Sequence, residues 1–129
     1  TRGTLTEGVD YDGEKLHTAA VFGVPLVNIG SPRVQAVRYA YGDRFGEEHE
    51  FTYALTIPAV RQVRQAIGRV LRGPDECGVR ILVGDRYSPG RPRSVAPFLS
   101  AQERAEFQRL TPEFLESQLA AFWDGRNQQ

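Results

Sequence analysis

Two short apolar runs constrain this chain most. Ala19-Ala20-Val21-Phe22-Gly23-Val24 is stopped by Pro25, and Val79-Arg80-Ile81-Leu82-Val83 follows much later in the chain. Each has the length of a strand, and an apolar run without alternation suits burial on both faces. Helix signals fill the interval. Ser31 before Pro32 reads as an N-cap with proline at the first helical position. Val34, Val37 and Tyr41 then recur at helical spacing, and Gly42 supplies a stop. Residues 43–50 read as a polar loop, and a second helix is expected from Pro58 to Arg72, closed by Gly73-Pro74. Strand, helix, helix, strand is an α/β pattern with parallel pairing. Two strands make a thin sheet, so further strands are expected before residue 1.

The rest of the chain agrees with a single small domain and its extension. Its 129 residues, 40% hydrophobic and 25% charged, are ordinary for a globular protein with a core. There is no methionine, which fits an excised piece of a longer protein, and the single cysteine, Cys77, suits a reducing compartment. Ser88 to Pro97, rich in Pro, Gly and Arg, reads as a loop. Ser100 with Glu103 forms a capping box, and Thr111-Pro112 opens an amphipathic helix using Leu115, Leu119 and Phe122.

Net charge is zero, but its distribution is uneven. Residues 1–57 carry five Lys/Arg against eight Asp/Glu, residues 58–93 eight Arg against three acids, and residues 94–129 three Arg against five. A basic centre between acidic flanks is a candidate anion-contacting strip. On a helical wheel of residues 58–72, Ala59, Val60, Val63, Ala66, Ile67, Val70 and Leu71 share one face. Arg61, Gln65, Gly68 and Arg72 share the other, flanked by Arg64 and Arg69. A mid-helix Gly68 costs roughly 1 kcal/mol relative to Ala; its lack of a side chain would let a ligand approach the backbone. On spacing alone, an exposed arginine-rich helix with an incidental glycine is the slightly better account.

The spacing Gln65-x-x-Gly68-Arg69-x-x-Arg72 resembles motif VI of superfamily 2 helicases, and its surroundings resemble the XPD/DinG branch, XPD more closely. Gly3-x-x-x-Glu7-Gly8-Val9-Asp10 looks like that branch's motif V. Phe22-Gly23-Val24-Pro25 looks like its strand end, Arg72-Gly73-Pro74-Asp75 with Gly78 like its following turn, and Arg86-Tyr87 like the end of its last strand. The resemblance runs in order from Gly3 to about Tyr87. Gly84 stands where the family usually has Asp, Leu26 where XPD proteins commonly carry an aromatic, and Thr6 where they have Ser.

The resemblance implies a partial RecA-like helicase C-terminal lobe over residues 1–97, a parallel sheet flanked by helices, with a helical C-terminal extension over 98–129. It implies the C-terminal lobe of an ATP-dependent DNA helicase, translocating 5′ to 3′ in DNA repair. Arg72 would be the arginine finger and Arg69 its partner at the phosphates of ATP held by the first lobe. Gln65, Gly68, Gly8 and Asp10 would contact nucleotide, and Arg2, Thr4, Thr6 and Arg61 would lie along single-stranded DNA. ATP and Mg²⁺ are the implied cofactors of the parent, and a 4Fe-4S cluster belongs, in XPD relatives, to the first lobe. Implied partners are that lobe, single-stranded DNA and repair-complex proteins, in the nucleus of a eukaryote or the nucleoid of a prokaryote.

The chain is not expected to act alone. No GxxxxGK[ST] phosphate loop is present, and the only lysine, Lys15, lacks the glycines. The other reading is a stand-alone module that binds single-stranded nucleic acid or a repair partner without hydrolysis. Asp10-Tyr11-Asp12-Gly13-Glu14 places its glycine wrongly for a calcium loop and reads as an acidic turn. His17, His49 and Cys77 lack partners at metal-ligand or nucleophile spacing, and no metal site is expected. No apolar run reaches membrane-spanning length.

Overall fold

The computed structural model describes residues 17–70 and 77–126. The chain divides into two compact units between Leu99 and Ser100. In the first, β1 (Thr18–Phe22) pairs in parallel with β2 (Val79–Val83), with Thr18 opposite Val79 and Phe22 opposite Val83. Between them lie α1 (Pro32–Phe45), α2 (Glu47–Phe51), a π-helical turn (Thr52–Thr56) and α3 (Ile57–Ile67). This is a small α/β fold with helices packed on a two-stranded parallel sheet, as the order of strand and helix signals leads one to expect.

The start of α1 follows from its first two residues. Ser31 is extended, its hydroxyl accepts from Val34 N at 3.2 Å, and Pro32 opens the helix where no amide donor is required. The expected stop at Gly42 is not where the helix ends. Gly42 is buried inside α1, and a Cβ there would meet Glu47 Cα and Glu50 Cβ at 3.7 Å, an ordinary van der Waals contact, so it neither ends the helix nor is demanded by α2. The stop is Gly46, whose φ of +100° L-residues rarely adopt and whose N–H bonds Gly42 O at 2.9 Å.

The expected polar loop over 43–50 is also corrected. Asp43, Arg44 and Phe45 complete α1, while Glu47, Glu48 and Glu50 occupy the first turn of α2, where the helix dipole favours carboxylates. Arg38 on α1 pairs with Glu50 on α2. The Tyr53 ring, in the π turn, lies tilted 5.8 Å from Tyr41 and 5.1 Å from Phe45. The ion pair thus ties α1 to α2, and the aromatic contacts tie α1 to the π turn that follows.

The core lies between α3 and β1. Leu55, Val63, Ile67 and Val70 are almost completely buried, Val21 is buried on β1 beside α3, and Val95, Ala96 and Leu99, beyond β2, are buried as well. The strands do not achieve the burial on both faces expected of them. Alternation turns Val21 toward α3 and Phe22 away, leaving Phe22 76% and its register partner Val83 40% exposed, because α3 covers one sheet face.

The second unit contains α4 (Ala101–Glu106) and α5 (Pro112–Arg126). Ser100 Oγ accepts from Glu103 N at 3.1 Å and Glu103 Oε2 from Ser100 N at 2.7 Å, the reciprocal capping box. On α5 the half-buried residues are Leu115, Leu119 and Trp123. Trp123, rather than the expected Phe122, continues the i, i+4 stripe, and Phe122 meets it edge-on at 5.0 Å.

Candidate ATP-coupling face

α3 is built to show two faces. Ala59, Val60, Val63 and Ile67 are buried, and Pro58 lies just after the π turn in a run that is helical without a break from Glu47 to Ile67. Arg61, Arg64, Gln65 and Gly68 are exposed. The apolar stripe fixes the helix on the core, and that packing holds the polar stripe at the surface.

The expected helix to Arg72 stops earlier. α3 ends at Ile67, with Gly68 as its C-cap and Gly68 N donating to Arg64 O at 2.9 Å. Gly68 also has a local structural reason. Its φ of −68° is open to any residue, but a Cβ would lie 2.8 Å from Arg64 O. The glycine lets the chain turn tightly out of the helix. Arg69 follows in a turn and is half-buried, and Val70 returns to the core. The wheel therefore places Arg61 and Gln65 correctly but does not extend to Arg69.

Arg2, Thr4, Thr6, Gly8, Asp10 and Arg72 lie outside the described residues, as does the acidic turn at 10–14. The described part of the site is thus Arg61, Gln65, Gly68 and Arg69, brought together by the end of one helix. Among the described residues no group of three or more His, Cys, Asp or Glu is placed to hold a metal ion, and no helix is long and apolar enough to cross a membrane. Cys77 is a half-buried free thiol.

Two features of the surroundings were not legible from spacing. Gly78 is the first: a Cβ there would meet Val70 Cγ1 at 2.0 Å and His17 O at 2.9 Å. The segment leaving α3 therefore packs directly onto the backbone at the foot of β2, where Val79 N also bonds His17 O at 2.8 Å. The second is the Ser88–Pro97 segment, which has the composition of a connecting loop. Val95 within it is wholly buried, and Val95 N donates to Arg86 O at 2.7 Å. Arg86, at the head of an acid-free stretch, was its one available signal.

Residues 1–101 match the helicase C-terminal domain family. The chain is 36% identical over 105 residues to the general transcription and DNA repair factor IIH helicase subunit XPD/RAD3 of Saccharomyces cerevisiae, covering 78% of this chain and 12% of that protein. It is 34% identical over 88 residues to the corresponding XPD subunit of Dictyostelium discoideum, covering 67% and 11%. It is 30% identical over 104 residues to the regulator of telomere elongation helicase 1 homolog of Caenorhabditis elegans, covering 76% and 10%. The chain thus spans about a tenth of the length of these relatives. With its parallel strands, its two-faced α3 and these matches, the chain belongs to the helicase C-terminal domain family and is a C-terminal lobe of the XPD type.

Proposed function

We propose that this chain is part of the second motor lobe of an ATP-dependent DNA helicase that moves 5′ to 3′ in DNA repair. Residues 1–97 form the motor part and 98–129 a helical extension. The observation that carries the reading is α3, which buries Val63 and Ile67 to 1% exposure while presenting Arg61 and Gln65 on its other side. A rigid helix with guanidinium and amide groups along one edge suits a surface that closes on a polyanion.

In this reading the first lobe of the same protein holds ATP and Mg²⁺, and carries the 4Fe-4S cluster where one is present. Arg72 acts as the finger on the transferring phosphoryl group, where charge accumulates, and Arg69 supports it. Such fingers contribute about 10³–10⁵ in rate. Gln65 and Gly68 line the nucleotide with Gly8 and Asp10, while Arg2, Thr4, Thr6 and Arg61 follow the single strand. Lobe closure then couples hydrolysis to movement along DNA. The isolated chain, with no phosphate loop, hydrolyses nothing. Relatives named as transcription and DNA repair helicase subunits support repair-complex proteins as partners and a nuclear site in a eukaryote.

The test is DNA-stimulated ATP hydrolysis by the full-length protein, with and without Arg72→Ala, at matched folding and ATP binding. Lost turnover with retained binding supports the finger. Near-normal turnover removes Arg72 from that role and shifts it to Arg69.

A further inference from the structure

From Arg86 to Gln102 the chain carries no carboxylate, yet it carries Arg86, Arg91 and Arg93. The loop holding them is fixed at several points. Arg86 Nε donates to Arg93 O at 2.9 Å, Ser94 Oγ to Ser88 O at 2.9 Å, and Ala96 N to Ser94 Oγ at 3.2 Å. Val95, fully buried, anchors its far end. Tyr87 Oη donates to Gly23 O at 2.7 Å and fastens its near end to the turn after β1. The loop therefore stands at the carboxyl ends of both parallel strands, the edge at which open α/β sheets receive ligands.

Three details go beyond an ordinary connection. Arg93 has φ of +54° and is the one non-glycine residue with positive φ among those described. A bulky residue held there signals a constraint the rest of the loop must sustain. Its guanidinium lies over the Phe51 ring, 4.3 Å from the centroid, which orients the flat cation while leaving its edge open. Arg86 Nη2 is shielded from water and has no acceptor. Burial and the neighbouring Arg93 charge both make Arg86 harder to keep protonated, as expected of two cations held together without an anion.

We propose that the Arg86–Val95 loop is a phosphate-binding site for the backbone of single-stranded nucleic acid, with Arg93 and Arg91 as its contacts. Arg86 is a positioning residue that fixes Arg93 through its carbonyl. Separated arginines along a rigid loop suit a polymer with repeating phosphates better than a single nucleotide. This proposal rests on the motor reading of the full-length protein.

The experiment measures binding of fluorescein-labelled oligothymidylate to the full-length protein by anisotropy over a salt series. Arg93→Gly removes the guanidinium at a φ that glycine adopts freely, so the loop keeps its fold, and thermal melting verifies that. Arg91→Ala alters an exposed position, so it remains informative should Arg93→Gly melt early. Each is expected to weaken binding several-fold and to reduce the slope of log affinity against log salt by about 0.7 for each phosphate that is no longer neutralised. Arg93→Lys restores the slope. KM for ATP without DNA stays unchanged.

An unaltered slope in the double variant overturns the loop proposal. So does a raised KM for ATP with the slope intact, which makes the loop a nucleotide site. If wild-type hydrolysis is DNA-stimulated while the slope is unaltered, the loop proposal alone fails. If the slope depends on Arg93 but wild-type protein hydrolyses no ATP, the loop stands and the motor reading fails. No binding of the oligonucleotide by wild-type protein overturns both.

Discussion

The Tyr87 hydroxyl donates to the Gly23 carbonyl at 2.7 Å, joining the segment after β2 to the turn after β1 across 64 residues of sequence. The approach depends on two glycines with positive φ. Gly23 lies at +71°, and at Gly84, at +146°, a Cβ would come within 3.5 Å of Gly23 Cα. Tyr87→Phe keeps the ring and removes the bond, so it is expected to cost about 1 kcal/mol of stability by urea unfolding.

The same hydroxyl predicts a pH dependence. Burial raises the Tyr87 pKa from 10.0 to about 12, and the Arg86 charge opposes that rise only in part. In the unfolded chain the phenol ionises first, so between those values the folded state binds more protons. Stability from this group is fully present below pH 10 and is lost as pH climbs toward 12. The unfolding midpoint of wild type should therefore fall more steeply over that window than the midpoint of Tyr87→Phe. Parallel curves would exclude Tyr87 as the titrating group.

Gly78→Ala tests the close packing at the foot of β2. The added methyl would meet Val70 Cγ1 at 2.0 Å and the His17 carbonyl at 2.9 Å. Val70 is buried and the carbonyl already accepts from Val79 N, so neither can move freely. A loss of about 1–3 kcal/mol is expected, the usual range for overpacking. Pairing it with Val70→Ala should recover part of the loss, and strictly additive effects would show that the two residues are not in contact.

These sites show what the sequence could and could not convey. Ser31-Pro32 and Ser100 with Glu103 were legible because a cap is local: the side chain that satisfies the helix lies within three residues of the amide it meets. The faces of α3 were legible because a helix repeats. Gly42 reads as a stop from local pattern, yet α1 runs on to Phe45 and ends at Gly46, whose positive φ a spacing rule does not reveal. At Gly68 the missing side chain suggests room for a ligand, and the structure adds a constraint that no spacing encodes, the Arg64 carbonyl 2.8 Å from where a Cβ would lie. The thin cover of β1 and β2 also escaped reading, since an apolar run states what a strand tolerates on each face and not what lies there.

Gly68→Ala has a sign that decides between those two views. In an unconstrained helix the change stabilises by roughly 1 kcal/mol. Here the backbone angles suit alanine, but a Cβ 2.8 Å from Arg64 O forces the α3 terminus to shift. Thermal unfolding is expected to show a net loss of stability. A gain would mean that the terminus relaxes readily and that the glycine is retained for access to its exposed backbone.

Gln65→Ala separates the coupling face from the scaffold that carries it. The side chain is exposed on α3, one turn after Arg61 and on the side opposite Val63, so its removal leaves the core untouched. Stability should stay within about 0.5 kcal/mol of wild type, the ordinary range for a surface change. In the full-length protein the same substitution is expected to lower DNA-stimulated kcat/KM for ATP at least about tenfold, equivalent to about 1.4 kcal/mol of transition-state stabilisation. Val63→Ala should do the reverse, costing about 1 kcal/mol or more of stability through a cavity under α3, with turnover reduced only as far as folded protein is lost. If both variants lose activity solely in proportion to stability, α3 serves the fold and the nucleotide is met by other residues.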